Sequence, residues 1–254
     1  MPEPDTAAPR DTRIRSFVHQ RSRLSDGQQA AWDRLWTVWG DEVADLVAGL
    51  RPWDPHAAFG RRAPVVLEIG PGMGETTAAL AVAEPDVDHV AVEVYEPGLA
   101  QLLMRISDLG LTNQRLLRGD AVELLEQVVS PRSLDGLRIF FPDPWPKRRH
   151  HKRRLIQPDF VRLAVSRVVE GGRVHLATDW PHYAEQMRRV CDAEPALRPD
   201  AALPVGPDGW QVRPDERPTT KFETRARLED RPVRDLVYTV AHECAETDTR
   251  RVTD

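Results

Sequence analysis

The chain has 254 residues, 41% of them apolar and 30% charged, with 35 basic and 40 acidic side chains for a formal charge of -5. That length supports one well-buried core and is short for two ordinary domains. The composition suits a soluble globular protein and excludes a bilayer-spanning chain, since no stretch approaches the apolar length a span needs.

Residues 1–13 are polar and proline-containing and are expected to be disordered, with no apolar run of the kind a secretory signal carries. Residues 14–62 are expected to form a basic arm, a helix and a linker. Arg10, Arg13, Arg15, Arg21 and Arg23 crowd the arm, and Phe17, Val18 and Leu24 are its candidate anchors. Leu35, Trp39, Val43 and Leu46 recur at helical spacing, widened by Trp32 and Trp36, so a single helix is expected over Ala30–Leu50. Arg51–Arg62, with Pro52, Pro55 and Gly60, is expected to be a linker.

From residue 63 to 242 the rhythm changes to strand and helix in alternation. Strands are expected at Val65–Ile69, His89–Val94, Arg115–Leu117, Leu137–Phe141 and Arg173–Ala177, with a late β-rich run at Leu236–Ala241. Helices are expected at Thr76–Ala83, from Pro97 to about Leu109, and at Ala121–Val129, Pro158–Val169 and Pro181–Cys191. This order implies an α/β fold, a mostly parallel sheet covered on both faces. Pro195–Pro218 is rich in Pro, Gly and Asp and reads as a rim loop, with Val212–Arg213 a candidate for a small strand. Residues 243–254 form an acidic tail. The two cysteines, Cys191 and Cys244, have no metal-ligand spacing and are expected to be free thiols in the cytoplasm.

The first strand runs into Gly70, Gly72 and Gly74. Glycines there let the backbone turn tightly and approach a ligand at a helix N-terminus. The pattern G-x-G-x-G is shorter than the dinucleotide fingerprint, and no Gly-Lys-Ser/Thr follows, so a P-loop is excluded. By itself the loop is also compatible with a structural turn. A carboxylate series gives it more weight. Glu68 sits inside an apolar strand and requires a positive partner, either a basic side chain or a ligand cation. Glu93 ends the second strand, where a ribose-binding carboxylate sits in folds of this kind, and Asp120 follows the third and is placed for an adenine amino group. The plainer reading makes Glu93 and Asp120 solvated strand ends and caps.

Phe140-Phe141-Pro142-Asp143-Pro144-Trp145-Pro146-Lys147 is the sharpest local signal. The prolines fix φ and restrict the residues before them, so Asp143 is aimed from a strand end between rigid neighbours. Trp145 is suited to stacking on a flat base; the alternative is a rigid turn with Trp145 merely packed. The run Lys147-Arg148-Arg149-His150-His151-Lys152-Arg153-Arg154 follows at once. Charge runs are usually solvated surface, but here the cations would surround the mouth where a phosphate backbone must pass. His150 and His151 lack a third ligand, so no metal is expected.

With these motifs, the chain resembles the bacterial tRNA (guanine-N7)-methyltransferases from about Ile14 to Tyr238. The likeness is carried by Ile14-Arg15-Ser16-Phe17, Leu67 through Glu75, Phe140 through Arg154, Thr178-Asp179-Trp180 and Thr219 through Glu223. Gln20 and Ser22 interrupt the basic spacing of the family's N-terminal signature. The resemblance implies a Rossmann-like class I methyltransferase fold with S-adenosylmethionine as cofactor. It implies transfer to N7 of a guanine in the tRNA variable loop, with tRNA as partner, no membrane, and a monomer or homodimer. It also implies that Glu68, Gly70, Gly72, Gly74, Glu93, Asp120 and Asp143 line the cofactor site and that Asp143 is catalytic. Lys147, Arg148, Arg149, Arg153, Arg154, Asp179, Thr220, Lys221, Phe222 and Glu223 would contact substrate, and Trp145 would bound the base pocket.

Three rivals remain open on sequence: a methyltransferase acting on an amino group, a nicotinamide dehydrogenase, and an RNA-binding module with a vestigial cofactor fold. The truncated glycine pattern opposes the second. The carboxylates oppose the third, because a pure RNA binder gains nothing from negative charge at a phosphate-facing mouth.

Overall fold

The computed structural model describes residues 23–49 and 53–242. The arginines at 10, 13, 15 and 21 and the tail from 243 lie outside them. Helix α1 (Asp26–Trp39) starts on a capping box, in which Ser25 Oγ accepts from the Gln28 N–H while Gln28 Oε1 accepts from the Ser25 N–H. Trp32, Leu35, Trp36 and Trp39 fall on one face and pack on the core beneath α5 (Glu96–Leu109), with Trp32 stacked on Trp36 at 4.1 Å between centroids.

The single helix expected over Ala30–Leu50 is corrected here. It stops at Gly40, whose extended backbone begins a short strand, β1 (Gly40–Glu42), before α2 (Val43–Ala48). A Cβ at residue 40 would run into the Trp36 ring, so glycine lets the chain turn away beneath the indole. The expected linker likewise holds a short helix, α3 (Pro55–Phe59), opened by Asp54 Oδ1 accepting from the His56 N–H.

The remaining elements comprise the expected alternation together with a short strand at Leu197–Pro199 and a helix at Lys221–Leu228 that were not expected. They are β2 (Val65–Ile69), α4 (Glu75–Ala83), β3 (Asp88–Glu93), α5, β4 (Gln114–Arg118), α6 (Ala121–Gln127), β5 (Leu134–Phe140), α7 (Pro158–Arg167), β6 (Val168–Thr178), α8 (Pro181–Asp192), β7 (Leu197–Pro199), α9 (Lys221–Leu228) and β8 (Arg234–Val240). The sheet order is β1-β4-β3-β2-β5-β6-β8-β7. Pairing is parallel from β1 to β6, while β8 runs antiparallel between β6 and β7. The Rossmann-like α/β expectation holds. The loop expected over Pro195–Pro218 contains β7, and the small strand expected at Val212–Arg213 is replaced by isolated bridges from Gln211 to Val205 and to Asp235.

The largest core cluster lies between the sheet and α6, α7 and α8, with Leu67, Leu124, Leu137, Val165 and Met187 each essentially inaccessible. A second cluster fills the space between the sheet and α5. Cys191 is a free, buried thiol in the larger cluster, and burial pushes its pKa up to about 12. No described helix is long and apolar enough to cross a membrane.

One close approach matters for the site. A Cβ on Gly98 in α5 would collide with the Gly72 carbonyl, so the loop after β2 rests directly on the α5 backbone. Gly98→Ala is expected to destabilise the protein by about 1–3 kcal/mol in urea denaturation. Gly27→Ala in α1, where nothing lies within 4 Å, is the control and is expected to be neutral or stabilising. Equal midpoints for the two variants would contradict this packing.

Candidate active site at the topological switch

The sheet order reverses between β2 and β5: from β2 the chain builds outward through β3 and β4, then crosses back to β5. The C-terminal ends of two strands at such a reversal diverge and leave a crevice. The loops leaving those ends are Gly70–Gly74 and Pro142–Trp145, so the topology alone brings the two motifs together. A cavity of about 610 Å³ occupies the crevice. Glu68, Gly70, Gly72, Gly74, Glu93, Asp143, Trp145, Arg153, Thr220, Lys221 and Phe222 all line it. Gly74, with φ +71°, is the residue before α4, and a Cβ there would lie 2.7 Å from that of Leu102. Only glycine can therefore present the α4 N-terminus this close to α5.

Glu68 is 6% exposed. Burial pushes its carboxyl up to about 7, against the opposing effects of the Thr77 hydroxyl and the Arg138 charge. Arg138 faces Glu68 across the β2–β5 register, but its Nη2 donates to both carboxylate oxygens of Glu84 at 2.8 and 2.9 Å. Glu68 is thus a buried carboxyl lining the cavity, with its cross-strand neighbour Arg138 engaged by Glu84.

Glu93 is held differently. Its Oε1 accepts from the N–H groups of Val94 and Tyr95 at 2.7 and 2.9 Å, and its Oε2 accepts from Gly72 N–H at 3.3 Å. Burial nevertheless raises its pKa, and the nearby charge of Asp143 adds to the rise. The carboxylate staples the glycine loop to the end of β3 while keeping acceptor capacity on Oε2 for a ligand hydroxyl. Asp120 caps α6, with Oδ1 accepting from the Val122 and Glu123 N–H groups, and its neighbours Gly119 and Ala121 line the cavity. Glu93→Ala is expected to weaken S-adenosylmethionine binding in calorimetry by about tenfold or more and tRNA binding far less. The reverse ranking would undo this placement.

Across the cavity, Phe141 and Trp145 both adopt left-handed backbone conformations, with φ of 52° and 41°. Such non-glycine positions cost on the order of 1–3 kcal/mol each and persist only when surrounding structure imposes them. They bracket Asp143, which is exposed and faces the cavity. Much of the imposing structure is Arg154. It is fully buried, with Nε donating to the Pro144 carbonyl at 2.8 Å, Nη1 donating to Gln186 Oε1 at 2.7 Å, and its guanidinium over the Tyr183 ring. Arg154 therefore braces the loop, and its expected place among the phosphate-facing cations is corrected. The rest of the basic run, Arg148–Arg153, winds into a 3-10 helix that leaves Arg148, Arg149, Lys152 and Arg153 exposed, with Lys147 exposed just before it. Arg153 lies over the Trp145 ring at 5.0 Å. Lys147, Arg148 and Arg149 stand outside the cavity lining.

One wall of the site is α9, which sequence periodicity did not show. Thr220 caps it, Lys221 reaches Glu75 at 2.7 Å, and Phe222 stacks on Phe141 at 5.6 Å. A signal was present in Thr220-Lys221-Phe222-Glu223, which has capping-box spacing. Glu223, expected to touch substrate, is 2% exposed and paired with Arg217. Asp179 is half-buried and takes both Nε and Nη2 of Arg231. Among the described residues, no His/Cys/Asp/Glu cluster has the geometry of a metal site.

The chain is similar in sequence to known methyltransferases. A family model described as a putative methyltransferase matches residues 62–236. The tRNA (guanine-N(7)-)-methyltransferase of Paraburkholderia xenovorans is 50% identical over 241 residues, covering 93% of this chain and 88% of that protein. The tRNA (guanine-N(7)-)-methyltransferase of Streptomyces coelicolor is 47% identical, covering 90% of this chain and 81% of that protein. A solved rRNA methylase from Streptococcus thermophilus aligns with a TM-score of 0.47 at 16% identity, covering 78% of this chain and 93% of that one.

Proposed function

This chain belongs to the tRNA (guanine-N7)-methyltransferase family, and from that membership we propose that it moves the methyl group of S-adenosylmethionine to N7 of a guanine in the tRNA variable loop. The observation that carries the reading is the shared opening: a buried carboxylate that calls for a cation, a strand-end carboxylate with room for a hydroxyl, and Asp143 all face one cavity.

The residues suit the cofactor chemically. Glu68 supplies negative charge for a cationic amino acid moiety, Glu93 accepts from ribose hydroxyls, and Asp120 stands at the far end of the same strand edge for the adenine amino group. When bound, S-adenosylmethionine supplies an electrophilic methyl on a sulfonium. Guanine N7 already carries an in-plane lone pair, so no base has to remove a proton before attack, and the protein's task is alignment. Asp143 accepts hydrogen bonds from the guanine N–H edge and favours the positive charge that grows on the ring. Trp145 bounds the base, and Lys147, Arg148, Arg149 and Arg153 hold phosphates around the mouth. Asp179 orders the basic groups nearby through Arg231. The guanine leaves its stack to enter the cavity. The protein works in the cytoplasm, as a monomer or homodimer, without a metal.

The test is nucleoside mass spectrometry after incubation with methyl-labelled S-adenosylmethionine and unmodified tRNA. Label is expected in 7-methylguanosine from the variable loop. Label on an exocyclic amino group would favour an amino-directed methyltransferase and remove this reading.

A further inference from the structure

Helix α9 lines the cavity through Lys221, Phe222 and Arg225, yet apolar burial is not what seats it. Of its eight residues only Glu223 and Ala226 are buried, while Phe222 and Leu228 are 58% and 83% exposed. Its anchor is ionic. Arg217, 1% exposed, donates Nε and Nη2 to the two carboxylate oxygens of Asp235 at 2.6 and 2.9 Å, and Nη1 to Glu223 Oε2 at 2.9 Å. Asp235 sits in β8 and also pairs with His175 Nε2 of β6 at 2.8 Å, so the base of the clasp is the sheet itself. Glu223 lies in the first turn of α9, directly after Phe222. The guanidinium lies 5.9 Å from the Phe141 ring, on which Phe222 stacks. A charge held by bidentate geometry fixes orientation as well as proximity.

We propose that Arg217 is a positioning residue: through Glu223 it holds the first turn of α9, and with it Lys221 and Phe222, over the mouth of the cofactor cavity. Glu223 thereby serves the reaction from inside the fold and does not touch RNA. The proposal rests on the reading that the cavity takes S-adenosylmethionine.

The test is calorimetry of S-adenosylmethionine binding to the full-length protein. Arg217→Ala alone would remove the buried cation shared by Glu223 and Asp235, leaving Asp235 only His175 and Glu223 only Arg227 and Arg213, and would endanger folding. The informative variants are Glu223→Gln and the triple Arg217→Met, Glu223→Gln, Asp235→Asn, in which these three side chains carry no charge. Each is expected to raise the Kd by about fivefold or more, whereas tRNA affinity without cofactor stays within about threefold. The effect of Glu223→Gln is expected to vanish in a Phe222→Ala background, because both substitutions act through the same ring. A folded triple variant with wild-type Kd, or a Glu223→Gln effect that adds in full to Phe222→Ala, would overturn the clasp. A wild-type protein that binds no S-adenosylmethionine would instead sink the functional reading beneath it.

Discussion

Asp143→Ala is expected to lower the single-turnover rate of methyl transfer by about tenfold or more, while the Kd for S-adenosylmethionine changes by less than about threefold. The reason is geometric. Asp143 lines the cavity from a loop that is left-handed at 141 and 145 and braced by Arg154. On the proposed reading, the cofactor is held on the β2 and β3 side, by Glu68 and Glu93, which line the cavity there. On the proposed reading, loss of the Asp143 carboxylate removes an acceptor for the guanine N–H edge and a negative charge near a ring that becomes cationic. It leaves the cofactor half intact. Asp143→Asn keeps one acceptor oxygen but brings an N–H donor to face the guanine donors, so it is expected to fall as far as alanine. An unchanged rate in rapid-quench assays would remove Asp143 from the chemistry.

Glu68→Gln is expected to have the largest effect on cofactor binding, with a pH signature that identifies its cause. Burial raises the Glu68 pKa from 4.5 to about 7 in the folded protein. Below about pH 4.5 both folded and unfolded chains hold the proton, and the preference of the folded state for the neutral form is fully expressed. As pH climbs towards 7 the unfolded chain ionises first, and this contribution to stability is lost, to a total on the order of 3 kcal/mol. Glutamine cannot ionise and escapes the loss. The ligand-free Glu68→Gln protein is therefore expected to melt above wild type at pH 8, with the difference shrinking as pH falls towards 4.5. Binding shows the opposite preference. A cationic ligand favours the carboxylate, so wild-type affinity for S-adenosylmethionine is expected to rise by up to about tenfold per unit between pH 6 and 7, with a proton released on binding. Glu68→Gln loses that slope and at least about tenfold in affinity at pH 7.5. A variant with wild-type affinity and an unaltered pH profile would show that Glu68 does not meet the ligand's charge. A site residue that weakens the empty protein is an expected form of the trade between stability and activity.

Much of this site is legible in the sequence because its parts are local. Glu68 and the glycines belong to one strand and its exit, and the strand is β2 with the expected bounds. The Pro142–Trp145 segment identifies itself through proline chemistry. Their meeting could be anticipated only from the alternation of strands and helices, which implies a switch point without saying which strands flank it. The residues that periodicity misplaced are those whose roles depend on distant partners. Arg154 reads as one more cation in a basic run, and only the fold places it under Pro144 with Tyr183 and Gln186 of α8 around it. Glu223 is placed at the substrate by the resemblance, and nothing near it in the chain marks Arg217 and Asp235 as its neighbours. Gly40 was absorbed into a helical pattern because the apolar spacing of Val43 and Leu46 continues past it. The Trp36 ring and the pairing of β1 with β4 are tertiary facts. α9 escaped because it has almost no apolar face, and periodicity cannot report a helix held by ion pairs.

The most direct test of the shared opening is a crystal structure of the protein with S-adenosylhomocysteine and a tRNA fragment carrying the variable loop. The ligand amino group is expected at Glu68, the ribose at Glu93 and the guanine edge at Asp143, with N7 turned towards the ligand sulfur. A guanine bound away from Asp143, or an adenosyl group lying outside the Gly70–Gly74 loop, would contradict the account.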